Sequence, residues 1–431
     1  MIHRIFTFMG LLFLVGTLVV SPAQAASIKL EFWGGWTGAD GGIVKDAVKE
    51  WNETNPNVQI NLTIQQWAPL YDAFFVAAGG KKSPDILASH PVELSQFADK
   101  NLILPLEDLL KGTKITPSNY APNVWEANSY KGKLYGVPLD FHMYGLFYNA
   151  DLVKKAGVSI PKEPMNAEQF LKVLRALTLD KNGKHPGEAG FDPANIVQYG
   201  VNQHTNHHAF YQWWGLYNQI GGTLISDDGR KCVLNVDSAA KAWQWLQDLV
   251  YQHYVAPQGQ TDYPRDFMSG RTAMMISGPW ERLAFVVANK EKGFNWAVAP
   301  YPVIFEKRAV WGYGHAFTIP VYGDPSKRAA SIKFIEWFAA SGRWAKTGQV
   351  PVFKGMTDSA EFKAIPGWEV FASQLPYTKM LQGTTKFNDI YSSSAPTPMM
   401  VLGQNIILKK ADPRAESQKA CDAITGILSI P

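Results

Sequence analysis

The chain has 431 residues, 46% hydrophobic and 18% charged, with 15 Trp and 17 Tyr. This is ordinary globular composition, long enough for two domains. The formal charge of +4, with no dense Lys/Arg cluster, is too mild to imply a nucleic-acid partner.

Met1 to Arg4 is short and basic, Ile5 to Val20 is continuously apolar, and Ala23-Gln24-Ala25 is an A-x-A cleavage signature. Residues 1–25 therefore read as a secretory signal peptide, with the mature chain starting near Ala26. Losing Arg4 takes Lys+Arg from 41 to 40 against 37 acids, a mature charge of about +3. No Cys lies near the cleavage point to carry a lipid, and no later apolar run is long enough to span a bilayer. Export to the periplasm is expected.

The mature chain opens on an alternating strand, Ile28 to Phe32, then a Gly-rich segment, Gly34 to Gly42. Ile43, Val44, Ala47, Val48 and Trp51 recur at helical spacing, and Val58, Ile60, Leu62 and Ile64 alternate as the next strand. A helix over roughly Pro69 to Ala78 and a strand opening at Pro84 continue the pattern. The β-α-β-α-β rhythm predicts a parallel sheet with helices on its faces. It resumes with helical stripes at Phe170–Leu177, Trp243–Val250 and Ala330–Phe338. Residues 180–192 read as an exposed loop or hairpin.

In open parallel sheets, ligands sit outside the carboxyl ends of strands. Six strand-to-loop segments here carry aromatic or polar groups: 34–42, 65–67, 89–90, 140–142, 277–280 and 311–315. They predict one cleft assembled from many loops. In Ser277-Gly278-Pro279-Trp280-Glu281, Gly278 suits an N-cap, Pro279 the first helical position and Glu281 the third. "GGWTGADGG" lacks the ending and spacing of a phosphate loop. "NQHTNHH" offers His204, His207 and His208 to a metal, but without a nearby acid or Cys pattern; Thr205 or Asn206 as a cap for the helix through Trp213 and Trp214 is the plainer reading. No metal or cofactor is expected. Cys232 and Cys421 are too far apart for a zinc ribbon or CxxC site; in an exported chain they either pair or stay as two buried thiols.

The chain resembles the extracellular solute-binding proteins of ABC sugar importers, the maltose-binding-protein-like group. The resemblance rests on "LEFWGGWTGADG", "VKEWNETNPNVQI", "SPDIL", "GKLYGVPLDFHMYGLFYNADLVKKAG", "FMSGRTAMMISGPWE", "GYGHAFTIP" and "DPSKRAASIKFIEWFA", in that order over nearly all of the mature chain. It implies a non-catalytic α/β protein of two lobes joined by a hinge, with the ligand cleft between them. Lobe one would be about 27–140 plus 299–350, and lobe two about 141–298 plus 351–431. Crossings would fall near Leu139–Tyr144, Ala297–Tyr301 and Pro351. The implied partners are a carbohydrate and the membrane permease subunits, with the chain a monomer.

The resemblance places Trp280 on a sugar ring, where a flat indole covers the C–H face and leaves the hydroxyls free at the edges. It places Asp140 against hydroxyls, since a carboxylate accepts from two vicinal groups. His142 lies on the same face two residues on. Trp36 and Asp40 in the first Gly-rich loop, Trp67 at a helix start, Trp213, Trp311, Gly312 and His315 complete the expected ligand-binding set. Gly312 and Gly314 are read as letting backbone N–H groups approach the ligand. A secreted glycosidase would use the same cleft but needs paired carboxylates. A polyol or glycerol phosphate ester binder would want a clustered Arg or a helix N-terminus at the phosphate.

Overall fold

The computed structural model describes residues 27–260, 262–392 and 396–430. The expected signal peptide lies outside them. Among the described residues, no helix is long and apolar enough to cross a membrane.

The opening alternation forms the strand Ile28–Gly34, with Leu30 and Phe32 fully buried. The helical stripe that follows forms Ala39–Thr54, whose Val44, Ala47, Val48 and Trp51 turn inward. Trp51 Nε1 donates to the Val58 carbonyl at 2.9 Å, fixing helix to next strand. Val58–Ile64 pairs in parallel with the first strand from Ile28/Val58 to Gly34/Ile64, and Ile86–Ser89 joins on the other side, Phe32 opposite Ile86. The parallel arrangement stops there. The nine-residue strand Val310–Thr318 runs antiparallel to the strands Ile86–Ser89 and Val137–Met143, Ala316 facing Ser89 and Gly312 facing Met143. Val350–Pro351 closes that edge. Strands 137–143 and 310–318 are buried along their whole length, so neither carries a solvent-facing alternation.

A second sheet has the order Trp296–Ala299, Gly145–Asn149, Thr272–Ser277, Ile196–Val201, Leu179–Asp180. The chain leaves the first sheet at Tyr144, returns to it between Ala299 and Val310, and leaves again after Pro351, apart from the two-residue strand Thr378–Lys379 that pairs with Val310 and Trp311. Each sheet is the centre of one lobe. The 180–192 segment is a closed loop: the Asp180 carboxylate accepts from the backbone N–H of Asn182, Lys184 and Asp192, each at 2.8 Å.

A disulfide braces the second lobe, and a buried arginine ties it to the turn at Gly348. Cys232 and Cys421 are disulfide-bonded across 189 residues, tying the 231–233 segment to the helix Pro413–Leu428. Arg282 is fully buried. Its guanidinium donates to the carbonyls of Gly348, Ile365 and Pro366 and lies 5.6 Å from the rings of Phe362 and Phe371. Burial lowers its pKa to about 9, which still leaves it charged at neutral pH.

Candidate ligand-binding cleft

Trp280 sits where the lobes meet. The strand Thr272–Ser277 ends, a 3-10 turn spans Pro279–Glu281, and the helix Arg282–Lys292 follows. Gly278 is the extended N-cap, as its position in the sequence predicts. It also makes room: a Cβ there would fall 1.9 Å from the Trp280 ring, so glycine lets the indole fold back over the turn. Trp280 Nε1 and Ser277 Oγ both donate to Glu281 Oε1 at 3.1 Å. Burial raises the Glu281 carboxyl to about 7, with these bonds working against it. Around the partly exposed indole lie His142 at 5.6 Å, His208 at 6.0 Å, Tyr144 at 6.2 Å and Trp311 at 6.5 Å between ring centres.

Asp140 does something other than the resemblance implies. Its carboxylate is completely buried and already engaged. Oδ1 accepts from His142 Nδ1 at 3.0 Å; Oδ2 accepts from His315 Nδ1 and from Trp344 Nε1, both at 2.7 Å. Burial pushes this carboxyl up, but attraction to His315 and the bonds from both imidazoles outweigh it and hold it well below the usual range. Burial likewise lowers both imidazoles, His315 to about 3, so they are neutral at pH 7. An ionised acid on one strand thus orients two neutral rings and an indole.

The remaining residues of this wall pack around that anchor. Trp67, at the start of the helix Trp67–Gly79, lies against Gly35, where a Cβ would fall 2.0 Å from the indole. Its ring stacks on His315 at 5.2 Å and stands 4.3 Å from His90. Trp36 is only 2% exposed, wedged among Phe32, Trp67, His315, Phe317 and Trp344. Asp40 is in the first turn of the helix 39–54, accepting from its Gly41 N–H at 2.9 Å and from Gln349 Nε2 at 3.4 Å; burial raises it to about 6. Trp311 stacks on Tyr211 of the helix His207–Gln219, 4.2 Å apart and 10° from parallel. Trp36 Nε1, Trp311 Nε1 and Tyr313 Oη are buried without a hydrogen-bond partner.

The structure thus brings Trp36, Trp67, Asp140, His142, Trp280, Trp311 and His315 together, with Asp40 at the margin. Trp213 is not among them. It is fully buried in the second lobe, stacked on Tyr217 at 4.8 Å and Trp243 at 5.5 Å, its Nε1 donating to the Ala239 carbonyl. Helical geometry sends Tyr211, two residues earlier, to the cleft instead. Gly312 and Gly314 also have another job. A Cβ on Gly312 would lie 2.4 Å from the His142 carbonyl oxygen, and one on Gly314 2.4 Å from that of Asp140. They let strand 310–318 approach strand 137–143 rather than exposing N–H groups to a ligand.

Two of the three histidines at 204–208 are engaged within the protein. His204 Nε2 pairs with the Ile276 carbonyl at 2.9 Å, His208 Nδ1 with Tyr144 Oη, and Asn206 caps the helix through the His208 N–H. His90, Tyr144, His208, Tyr211 and Trp344 were missing from the expected set. His90 and Tyr144 stand in segments already marked by strand ends and a lobe crossing, and His208 and Tyr211 share a helix face at i, i+3. Trp344 has no such local mark.

The description "bacterial extracellular solute-binding protein" belongs to the family model that matches residues 46–370, well over half of the chain. The chain is a bacterial extracellular solute-binding protein. Among relatives of this solute-binding protein is the maltotriose-binding protein of Pyrococcus abyssi (strain GE5 / Orsay), 21% identical, with 86% of this chain and 76% of that one covered. The arabinooligosaccharide-binding protein of Bacillus subtilis (strain 168) is 23% identical, covering 86% and 80% respectively. The fold matches an ABC substrate-binding protein of Listeria monocytogenes in complex with cycloalternan at TM-score 0.79, with 20% identity and 94% and 100% coverage. A protein of Mycobacterium tuberculosis in complex with glycerophosphocholine matches at TM-score 0.76, with 18% identity and 94% and 99% coverage.

Proposed function

We propose that this solute-binding protein captures a sugar or short oligosaccharide between its lobes and delivers it to the permease of an ABC importer. The carrying observation is Trp280. A half-covered indole stands where both lobes contribute rings, beside the unpartnered Trp311 Nε1 and Tyr313 Oη. Flat apolar faces with nearby unused donors suit a ligand that is apolar on its ring face and hydroxylated at its edge. The sugar-binding relatives support the same class.

In this reading His142 and His315 contact hydroxyls while Asp140 positions them. The lobe limits are about 27–140 plus 299–350 and 141–298 plus 351–431; the sheet change at Tyr144 moves the first crossing past His142 and Met143, which stay with the first lobe. Ligand touches both lobes only when they close, so binding shifts the population toward the closed form. The protein works as a non-catalytic periplasmic monomer. A glycerol phosphate ester is the weaker alternative, because the nearby Arg282 has its guanidinium committed to backbone carbonyls. The test is a thermal-shift screen of mono- and oligosaccharides against glycerol phosphate esters, with hits confirmed by calorimetry. Stabilisation by a phosphate ester and by no sugar overturns the reading.

A further inference from the structure

Three buried histidines of the first-lobe wall converge on one another. One ring nitrogen from each of His90, His142 and His315 lies within 4.8 Å of the others, the group of described residues whose donor atoms could surround an ion. We propose that His90, His142 and His315 form a binding site for one divalent transition-metal ion of the zinc class, set in the wall of the cleft.

Each of the three rings is held by a buried partner. Asp140 accepts from Nδ1 of both His142 and His315, which fixes the proton on that nitrogen and leaves the Nε2 lone pair free. At His90, Nδ1 lies 2.7 Å from Tyr71 Oη and 3.6 Å from Glu93 Oε2. Tyr71 Oη also accepts from the His90 backbone N–H at 3.2 Å, so the ring is held through Nδ1, and Nε2 is open to an ion once Nδ1 donates to that oxygen. No described residue hydrogen-bonds the Nε2 atom of any of the three. His142 and His315, each with the Asp140 carboxylate behind it, show the arrangement that metal-ligating histidines ordinarily have.

Three imidazoles leave a fourth tetrahedral position open for water or a ligand hydroxyl. Metal–nitrogen bonds of about 2.0–2.1 Å put tetrahedral nitrogens roughly 3.4 Å apart, so the rings close inward as the ion enters. An all-imidazole set suits zinc, copper or nickel ions rather than calcium or magnesium. The ionised Asp140 supplies countercharge directly behind two of the ligands. The site stands whether or not the transported solute is a sugar.

The test uses the mature chain without a histidine tag, stripped with chelator and titrated with Co²⁺ and then Zn²⁺. One Co²⁺ per chain is expected, with the visible absorption of tetrahedral cobalt, displaced by Zn²⁺. H90Q, H142Q and H315Q should each weaken binding at least tenfold. D140N keeps all three ligands and should weaken it by about 10–100-fold. H185Q, in the 180–192 loop, is the control that should bind as the parent does. H90Q lies outside the Asp140 network, so it decides the matter if H142Q or H315Q fails to fold. No Co²⁺ bound to the parent, or undiminished binding in H90Q, overturns the site.

Discussion

The two walls of the cleft are built on different principles. On the first-lobe side, one buried carboxylate holds two imidazoles and an indole, and tryptophans pack tightly behind them. On the second-lobe side, Trp280 is partly exposed and bonds only its neighbour Glu281, while Tyr144 and His208 pair with each other. The first wall is a preformed surface whose polar groups fix one another. The second is a platform whose main ring has little holding it except what lies opposite. The two central residues therefore carry different costs: a loss at Asp140 falls on stability, and a loss at Trp280 falls on binding.

Asp140→Ala should give the largest effect. Three buried N–H donors lose their acceptor, and each orphaned group costs about 1–3 kcal/mol. A loss of about 3–5 kcal/mol in the ligand-free protein is expected by denaturant titration. A variant as stable as the parent would remove the distinction between the walls. Trp280→Ala should reverse the pattern. Calorimetry should show binding weakened tenfold or more, equivalent to at least about 1.4 kcal/mol, while the melting temperature stays close to the parent's. A steep drop in melting with normal binding would make Trp280 a packing residue.

Tyr144→Phe sharpens the contrast at a smaller scale. It removes one hydrogen bond, to His208, worth about 0.5–1.5 kcal/mol in stability. Denaturant titration of the ligand-free variant measures that loss. Glu281→Gln is the subtlest change. The unfolded carboxyl titrates near 4.5 and the folded one near 7, so between those values the folded state holds a proton that the unfolded state releases. This group's contribution to stability is present below pH 4.5 and is lost as pH rises towards 7. Relative to Glu281→Gln, the parent should lose stability across that window. His315 works in the opposite sense, since its pKa falls from 6.5 to about 3 on folding and acid costs stability between those values. Melts of parent and variant at a series of pH values separate the two, and parallel curves would show that Glu281 does not titrate there.

Much of this was legible in the sequence because it depends on local rules. The alternation at 28–32, the helical stripe ending at Trp51 and the Gly278-Pro279 helix start all appear as their spacing predicts. Of the six segments read as strand ends, 34–42, 65–67, 89–90 and 277–280 are strand ends, whereas 140–142 and 311–315 lie inside the strands 137–143 and 310–318. What sequence could not supply was partner identity across long separations. Asp140 meets Trp344 204 residues on and His315 175 residues on, so its commitment to protein donors has no local signature. Trp213 failed for a related reason: a helix rich in aromatics has an inward and a cleft-facing side, and the register between them is set by the facing Trp243. The glycines at 312 and 314 looked like ligand-approach positions until the neighbouring strand was seen to fill their space.

The disulfide has a topological consequence. Residues 232 to 421 form a covalent ring, and the strands 310–318 and 350–351 lie on it. The whole second visit to the first sheet is therefore a loop thrown out from one closed circle and brought back. Closing a ring of 189 residues removes about 5 kcal/mol of unfolded-chain entropy in the loop-closure model. A single peptide cut anywhere along it leaves one molecule, not two. In a compartment that contains proteases, a nicked protein keeps its C-terminal helix Pro413–Leu428 tethered beside its partner segment, and the two ends of the break stay within reach of each other.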